Sequence, residues 1–119
     1  MRQSLFLTAM LLILGMEGNA DAHAFLLKSD PTVGATVSAP KTLRLEFSEG
    51  VELSLSGIDV ANGSGGVVKV QNAHINGSDP KVLVTDLPPL PPGPYRVKWH
   101  VVSVDSHRTE GDFSFTVKP

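Results

Sequence analysis

The chain contains no cysteine. Small exported domains commonly rely on disulfides, so a fold that lacks them must be held by packing alone. Other sulfur is scarce as well: the three methionines are Met1, Met10 and Met16, and none follows. A metal site in residues 23–119 must therefore use nitrogen and oxygen donors, which suit Cu(II), Zn(II) or Ni(II) and exclude a soft-donor site for Cu(I). No charge of one sign predominates. The formal net charge is −2, and beyond residue 22 nine basic residues stand against ten acidic ones with no basic run. That balance argues against nucleic acid and against an anionic membrane surface as partners. The one long apolar run, residues 5–16, is too short to span a bilayer.

Arg2 before that run and the small, polar residues 17–22 after it give the order of a signal peptide. Residues 1–22 are expected to be removed, leaving residues 23–119 as one exported domain that is not embedded in the membrane. The small-x-small rule is met after Ala20, after Ala22 and after Ala24; cleavage at the second makes His23 the first residue. About a hundred residues are enough for a single core.

No helical period of useful length follows residue 25. Short alternating runs separated by Pro, Gly and Asn predict an all-β chain. Residues 42–47 are the clearest strand, with Leu43, Leu45 and Phe47 on one face and Arg44 and Glu46 on the other. Val51, Leu53 and Leu55 restart the alternation, which continues through Ile58 and Val60. Residues 62–66 signal a hairpin, residues 72–80 read as a loop containing His74, and the proline-dense residues 86–94 read as a stiff extended connector. Tyr95, Val97, Trp99 and Val101 share one face of a strand, with Trp99 a central core residue and His100 on the solvent side. Phe113, Phe115 and Val117 alternate in the last strand. The expected fold is a single Greek-key β-sandwich of about seven strands, immunoglobulin-like or cupredoxin-like.

Between the last two strands stands Asp105-Ser106-His107. If this backbone is extended, residues i and i+2 point to one side and a carboxylate and an imidazole converge on one ion. A polar turn is the competing reading of the same residues. Further donors are available from His23: at a mature N-terminus its α-amine and Nδ1 close a six-membered chelate, and with Asp105 and His107 they form an N3O set. Cu(II) stands above Zn(II) for such donors. Glu49, in the turn after residues 42–47, can aim a carboxylate at the sheet end and orient a ligand imidazole or the terminal amine. A solvated turn glutamate is the alternative.

His23-Ala24, Ser29-Asp30-Pro31, Gly34, residues 43–49 (LRLEFSE), residues 92–99 (PGPYRVKW) and residues 102–107 (VSVDSH) occur in an order that resembles the CopC family of periplasmic copper-resistance proteins. The resemblance spans nearly the whole of residues 23–119. It implies a small β-sandwich that holds Cu(II) through the amine and side chain of His23 together with Asp105 and His107, with Glu49 as an acidic residue near the metal. The implied partners are the copper ion and a membrane copper transporter or another periplasmic copper protein that receives it. Many relatives have Gly where Ser106 stands and Pro-Val where Arg108-Thr109 stand, and some carry a methionine-rich loop for Cu(I) that this chain lacks.

The resemblance thus implies an exported copper(II) carrier or buffer with no catalytic step. Two other classes share some of its features. A histidine-brace copper oxygenase also uses a terminal histidine, but leaves an open position where Asp105 would bind. A metal-free immunoglobulin-like interaction module would need exposed aromatic anchors.

Overall fold

Strand formation follows from alternation. In β3 (Thr42–Phe47) Leu43, Leu45 and Phe47 are fully buried while Arg44 and Glu46 are half-buried on the outer face. In β8 (Gly93–Val102) Tyr95, Val97, Trp99 and Val101 point inward, and in β9 (Arg108–Val117) Phe113, Phe115 and Val117 do the same. The structure is a computed structural model and describes residues 24–119. The expected signal segment 1–22 and His23 lie outside the described residues.

The other strands are β1 (Leu26–Asp30), β2 (Thr36–Val37), β4 (Gly57–Asn62), β5 (Val67–Val68), β6 (Gln71–Asn76) and β7 (Asp79–Asp86). Two sheets form, one in the order β1-β3-β7-β6 and the other in the order β2-β9-β8-β4-β5. They make the predicted Greek-key β-sandwich: seven strands of five residues or more, with two-residue β2 and β5 at the edges of the second sheet. All the pairings are antiparallel except β2 with β9.

Leu43, Leu45, Phe47 and Leu83 of the first sheet face Ile58, Val60, Val97, Val101 and Phe115 of the second. Trp99 meets Phe47 edge-on, with ring centroids 5.1 Å apart, and Tyr95 stacks on Phe115 at 5.6 Å. Such pairs each add about 0.5–1.5 kcal/mol beyond the area they bury. Gly111 lies opposite Trp99 in the β8–β9 register, and a Cβ there would come within 2.6 Å of the indole. Glycine at this position lets the large ring lie across the neighbouring strand.

Two expectations need correction. The Val51, Leu53, Leu55 alternation does not form a strand: Leu53–Leu55 is a 3-10 turn with both leucines exposed. Here the chain leaves the first sheet and crosses to the second. Only Val51 stays buried, bridged to Ser103. Val102 N–H then donates to Ser56 Oγ at 3.1 Å, tying the crossing to β8. The presumed loop over residues 72–80 is the β6–β7 hairpin, turning at Gly77 and Ser78. β6 is an edge strand whose single partly buried apolar side chain is Ile75, so alternation was too faint to reveal it.

The proline-dense segment behaves as a connector. Residues 87–92 form no strand, yet Leu87 and Leu90 are buried beneath the sandwich, Leu87 N–H donates to the Lys41 carbonyl at 2.9 Å, and Tyr95 Oη–H donates to the Pro91 carbonyl at 2.6 Å.

Candidate metal centre

β8 and β9 pair in unbroken register from Gly93↔Val117 to Val102↔Arg108, and residues 103–107 join them. This connection is a tight turn: Ser106 N–H donates to the Ser103 carbonyl at 2.8 Å, and Ser103 N–H to the His107 carbonyl at 2.8 Å. Ser106 has φ +78°, a left-handed conformation unusual for a residue with a side chain and natural for glycine. The expected extended run from Asp105 to His107 is therefore incorrect, and the turn reading describes the backbone. Convergence is nevertheless achieved. His107 Nδ1 lies 3.3 Å from Asp105 Oδ1, with both side chains about half exposed to solvent.

Ser103 organises this loop. Its side chain is 1% exposed, its hydroxyl donates to Asp105 Oδ1, and its Oγ accepts the His107 backbone N–H at 3.3 Å. The Ser103 hydroxyl first, and the His107 imidazole after it, hold the Asp105 carboxyl below its ordinary value, because both stabilise the anion. A charged acceptor is thus present before any cation arrives. Sequence reading passed over Ser103, although a signal existed: it continues the inward parity of Tyr95, Val97, Trp99 and Val101, and a hydroxyl at a buried position must find partners.

The loop is braced from the first sheet. Gly50 accepts Val104 N–H at 3.0 Å, and Val51 donates its own N–H to the Pro80 carbonyl at 2.9 Å. The half-buried Glu49 precedes Gly50, so its backbone runs along the flank of the loop. Among the described residues, no hydrogen bond or ion pair joins Glu49 to Asp105 or His107. The amine and imidazole of His23, the other groups that Glu49 is expected to orient, lie outside the described residues.

The start of the described chain reaches the same end of the sandwich. Ala24 is 1% exposed, and its carbonyl accepts the Thr109 hydroxyl at 3.0 Å. Phe25 N–H donates to Ser48 Oγ at 2.8 Å, and Ser48 N–H returns a bond to the Phe25 carbonyl at 2.9 Å. His23, one peptide before Ala24, lies outside the described residues. Among the described residues, no group of three or more histidines and carboxylates converges, so Asp105 and His107 stand as a pair.

The remaining histidines are elsewhere. His74 is in β6, not in a loop, and its Nδ1–H donates to the Asn72 carbonyl at 2.6 Å. His100 sits on the outer face of β8, as expected, over Gly57, where an added Cβ would come within 2.7 Å of the imidazole.

A family model described as "CopC domain" matches residues 26–118. Protein YobA of Escherichia coli (strain K12) is 43% identical over 99 residues, covering 82% of this chain and 80% of that protein. Copper resistance protein C of Escherichia coli is 36% identical over 114 residues, with 90% of each covered. Among solved structures, the crystal structure of CopC from Methylosinus trichosporium OB3b superposes with a TM-score of 0.77 at 38% identity, covering 82% of this chain and 95% of that one.

Proposed function

The chain belongs to the CopC family, and from that premise we propose that it is an exported copper-resistance protein that buffers or carries Cu(II) in the periplasm. Residues 1–22 are the signal peptide. The first mature residue, His23, supplies its α-amine and Nδ1; Asp105 supplies a carboxylate and His107 an imidazole. Glu49 is the acidic residue near the metal, a weak ligand or a carboxylate that orients the terminal amine or a ligand imidazole. The ion is cargo, so the protein has no bond to break, and the recipient is a membrane copper transporter or another periplasmic copper protein.

The observation that carries this reading is the Asp105–His107 pair, drawn together by Ser103 at the end of the sandwich where Ala24 is anchored. Ala24 also bears on processing. Cleavage after Ala24 would discard a residue that is 1% exposed and bonded to Thr109, whereas cleavage after Ala22 keeps it and leaves His23 adjacent. Cleavage after Ala20 would place two residues ahead of the histidine and move the amine. The donor set supports the oxidation state. Two imidazoles, an amine and a carboxylate form a tetragonal N/O set suited to Cu(II), and the chain has no sulfur beyond Met16 for Cu(I).

The test is Cu(II) titration of a chain beginning at His23, followed by electron paramagnetic resonance. A nitrogen-rich tetragonal signal is expected, together with its loss in His107→Ala and Asp105→Ala. Unchanged affinity in the double variant would remove the ligand set, and no copper binding at all by the parent would favour the metal-free module.

A further inference from the structure

Residues 24 and 25 are bonded to both layers of the sandwich at once. The Ala24 carbonyl accepts the hydroxyl of Thr109 on β9, in the five-stranded sheet. Phe25 exchanges two bonds with Ser48, directly after β3 of the four-stranded sheet: its N–H donates to Ser48 Oγ and its carbonyl accepts Ser48 N–H. Thr109 stands two residues beyond His107, so the clasp and the loop share one end of β9. A chain terminus ordinarily frays, and a terminus that must chelate an ion then has to be ordered at the moment of binding.

We propose that Thr109 and Ser48 are positioning residues for the terminal chelate: acting through Ala24 and Phe25, they hold the His23 amine and imidazole beside Asp105 and His107 before copper arrives. This rests on the His23, Asp105, His107 ligand set proposed above. Neither hydroxyl touches the ion. Consecutive Cα atoms are about 3.8 Å apart, so anchoring Ala24 fixes the point from which the preceding residue extends. Release of either hydrogen bond lets residues 24 and 25 move, and ordering a freed residue on binding weakens affinity roughly tenfold. Burial of the Ala24 side chain adds a steric limit, because a larger residue there would displace the same segment.

The experiment measures Cu(II) affinity by chelator competition for the chain beginning at His23 and for Thr109→Val, Thr109→Ser, Ser48→Ala and His107→Ala. Thr109→Val keeps the branched shape and loses only the hydroxyl. It and Ser48→Ala are each expected to bind about three- to tenfold more weakly, while Thr109→Ser retains parental affinity. In a chain extended by one residue before His23, where the amine is displaced, Thr109→Val should change affinity less than about twofold, as a double-mutant cycle requires. In copper-free protein, the Phe25 amide should exchange faster in both weakened variants, with the Val97 amide unchanged. Parental affinity in Thr109→Val while His107→Ala has lost binding would overturn the clasp and leave the ligand set intact. Parental affinity in His107→Ala would overturn the ligand set and the clasp with it. Equal losses for Thr109→Val in the extended and unextended chains, or a Thr109→Ser as weak as Thr109→Val, would reduce Thr109 to a packing residue and overturn the clasp.

Discussion

The two ends of β8 are built on opposite principles. At Gly93 the strand starts from a proline-dense segment whose Leu87 and Leu90 are buried and whose backbone is tied to Tyr95. At Val102 it runs into a polar turn whose Asp105 and His107 are half exposed and whose one buried side chain, Ser103, is spent on orienting them. The first end stabilises the sandwich by removing apolar surface from water. The second holds an exposed carboxylate and imidazole in a fixed arrangement, which contributes little to stability and, in the ligand set proposed above, supplies two of the donors. Separating packing from ligation along a ten-residue strand, about 33 Å long, lets either be altered without the other.

Substitutions at the two ends should therefore have uncoupled effects. The largest belongs to the polar end: His107→Ala is expected to lower Cu(II) affinity by about two orders of magnitude or more, the cost of losing a ligand rather than a group behind it, with a melting temperature close to the parent's. The comparison would break if copper-free His107→Ala melted as low as a core variant. Next comes the apolar end. Leu90→Ala should destabilise by about 2–4 kcal/mol in denaturant titration, through lost burial and a residual cavity, and leave copper affinity unchanged.

Ser103→Ala sits between the two, because the residue is buried like a core position yet bonded like a site residue. A cost of about 1–2 kcal/mol in stability should accompany weaker copper binding; a stability loss with parental affinity would assign Ser103 to packing alone. The smallest effect is expected at the turn. Ser106→Gly relieves a left-handed φ and should stabilise by about 0.5–1 kcal/mol, read as a slightly raised denaturation midpoint.

Acid separates the donors further. The Asp105 carboxyl is held below its ordinary value, so its contribution to stability is fully present above the unfolded-state value near 3.8 and is lost as pH falls through the lowered folded value. From pH 5 to 8 Asp105 thus stays ionised, and copper affinity should fall with acidity because the terminal amine takes up a proton. A flat affinity over that window would exclude amine ligation. Asp105→Asn should remove the acid-limb dependence of stability that Asp105 contributes.

The alternations of Leu43/Leu45/Phe47 and of Tyr95 through Val101 were legible because each such strand buries one face and wets the other, which writes period two into the sequence. β6 left almost no such mark: an edge strand takes its stability from backbone pairing to β7, and Gln71, Asn72 and Asn76 can supply that as well as valine can. Leu53 and Leu55 carried the reverse error, apolar residues with strand spacing on a segment that has to change sheets. Within the site, Asp105 and His107 were readable as a pair, but the reason they meet was misjudged. Their proximity comes from a turn pinned by Ser103, not from the pleat of a strand.

Residue chemistry and spacing by themselves determined that this chain is a β-sandwich with a sulfur-free donor set and a carboxylate and imidazole at the junction of its last two strands. What only the tertiary structure decided is where Ala24 and Phe25, the first described residues, are held: Ala24 is bonded to Thr109, 85 residues away, and Phe25 to Ser48. Local sequence encodes periodicity and turns because those depend on neighbouring residues. Hydroxyl bonds between remote segments exist only after two sheets have packed, and before that Thr109 and Ser48 are indistinguishable from any other exposed hydroxyl.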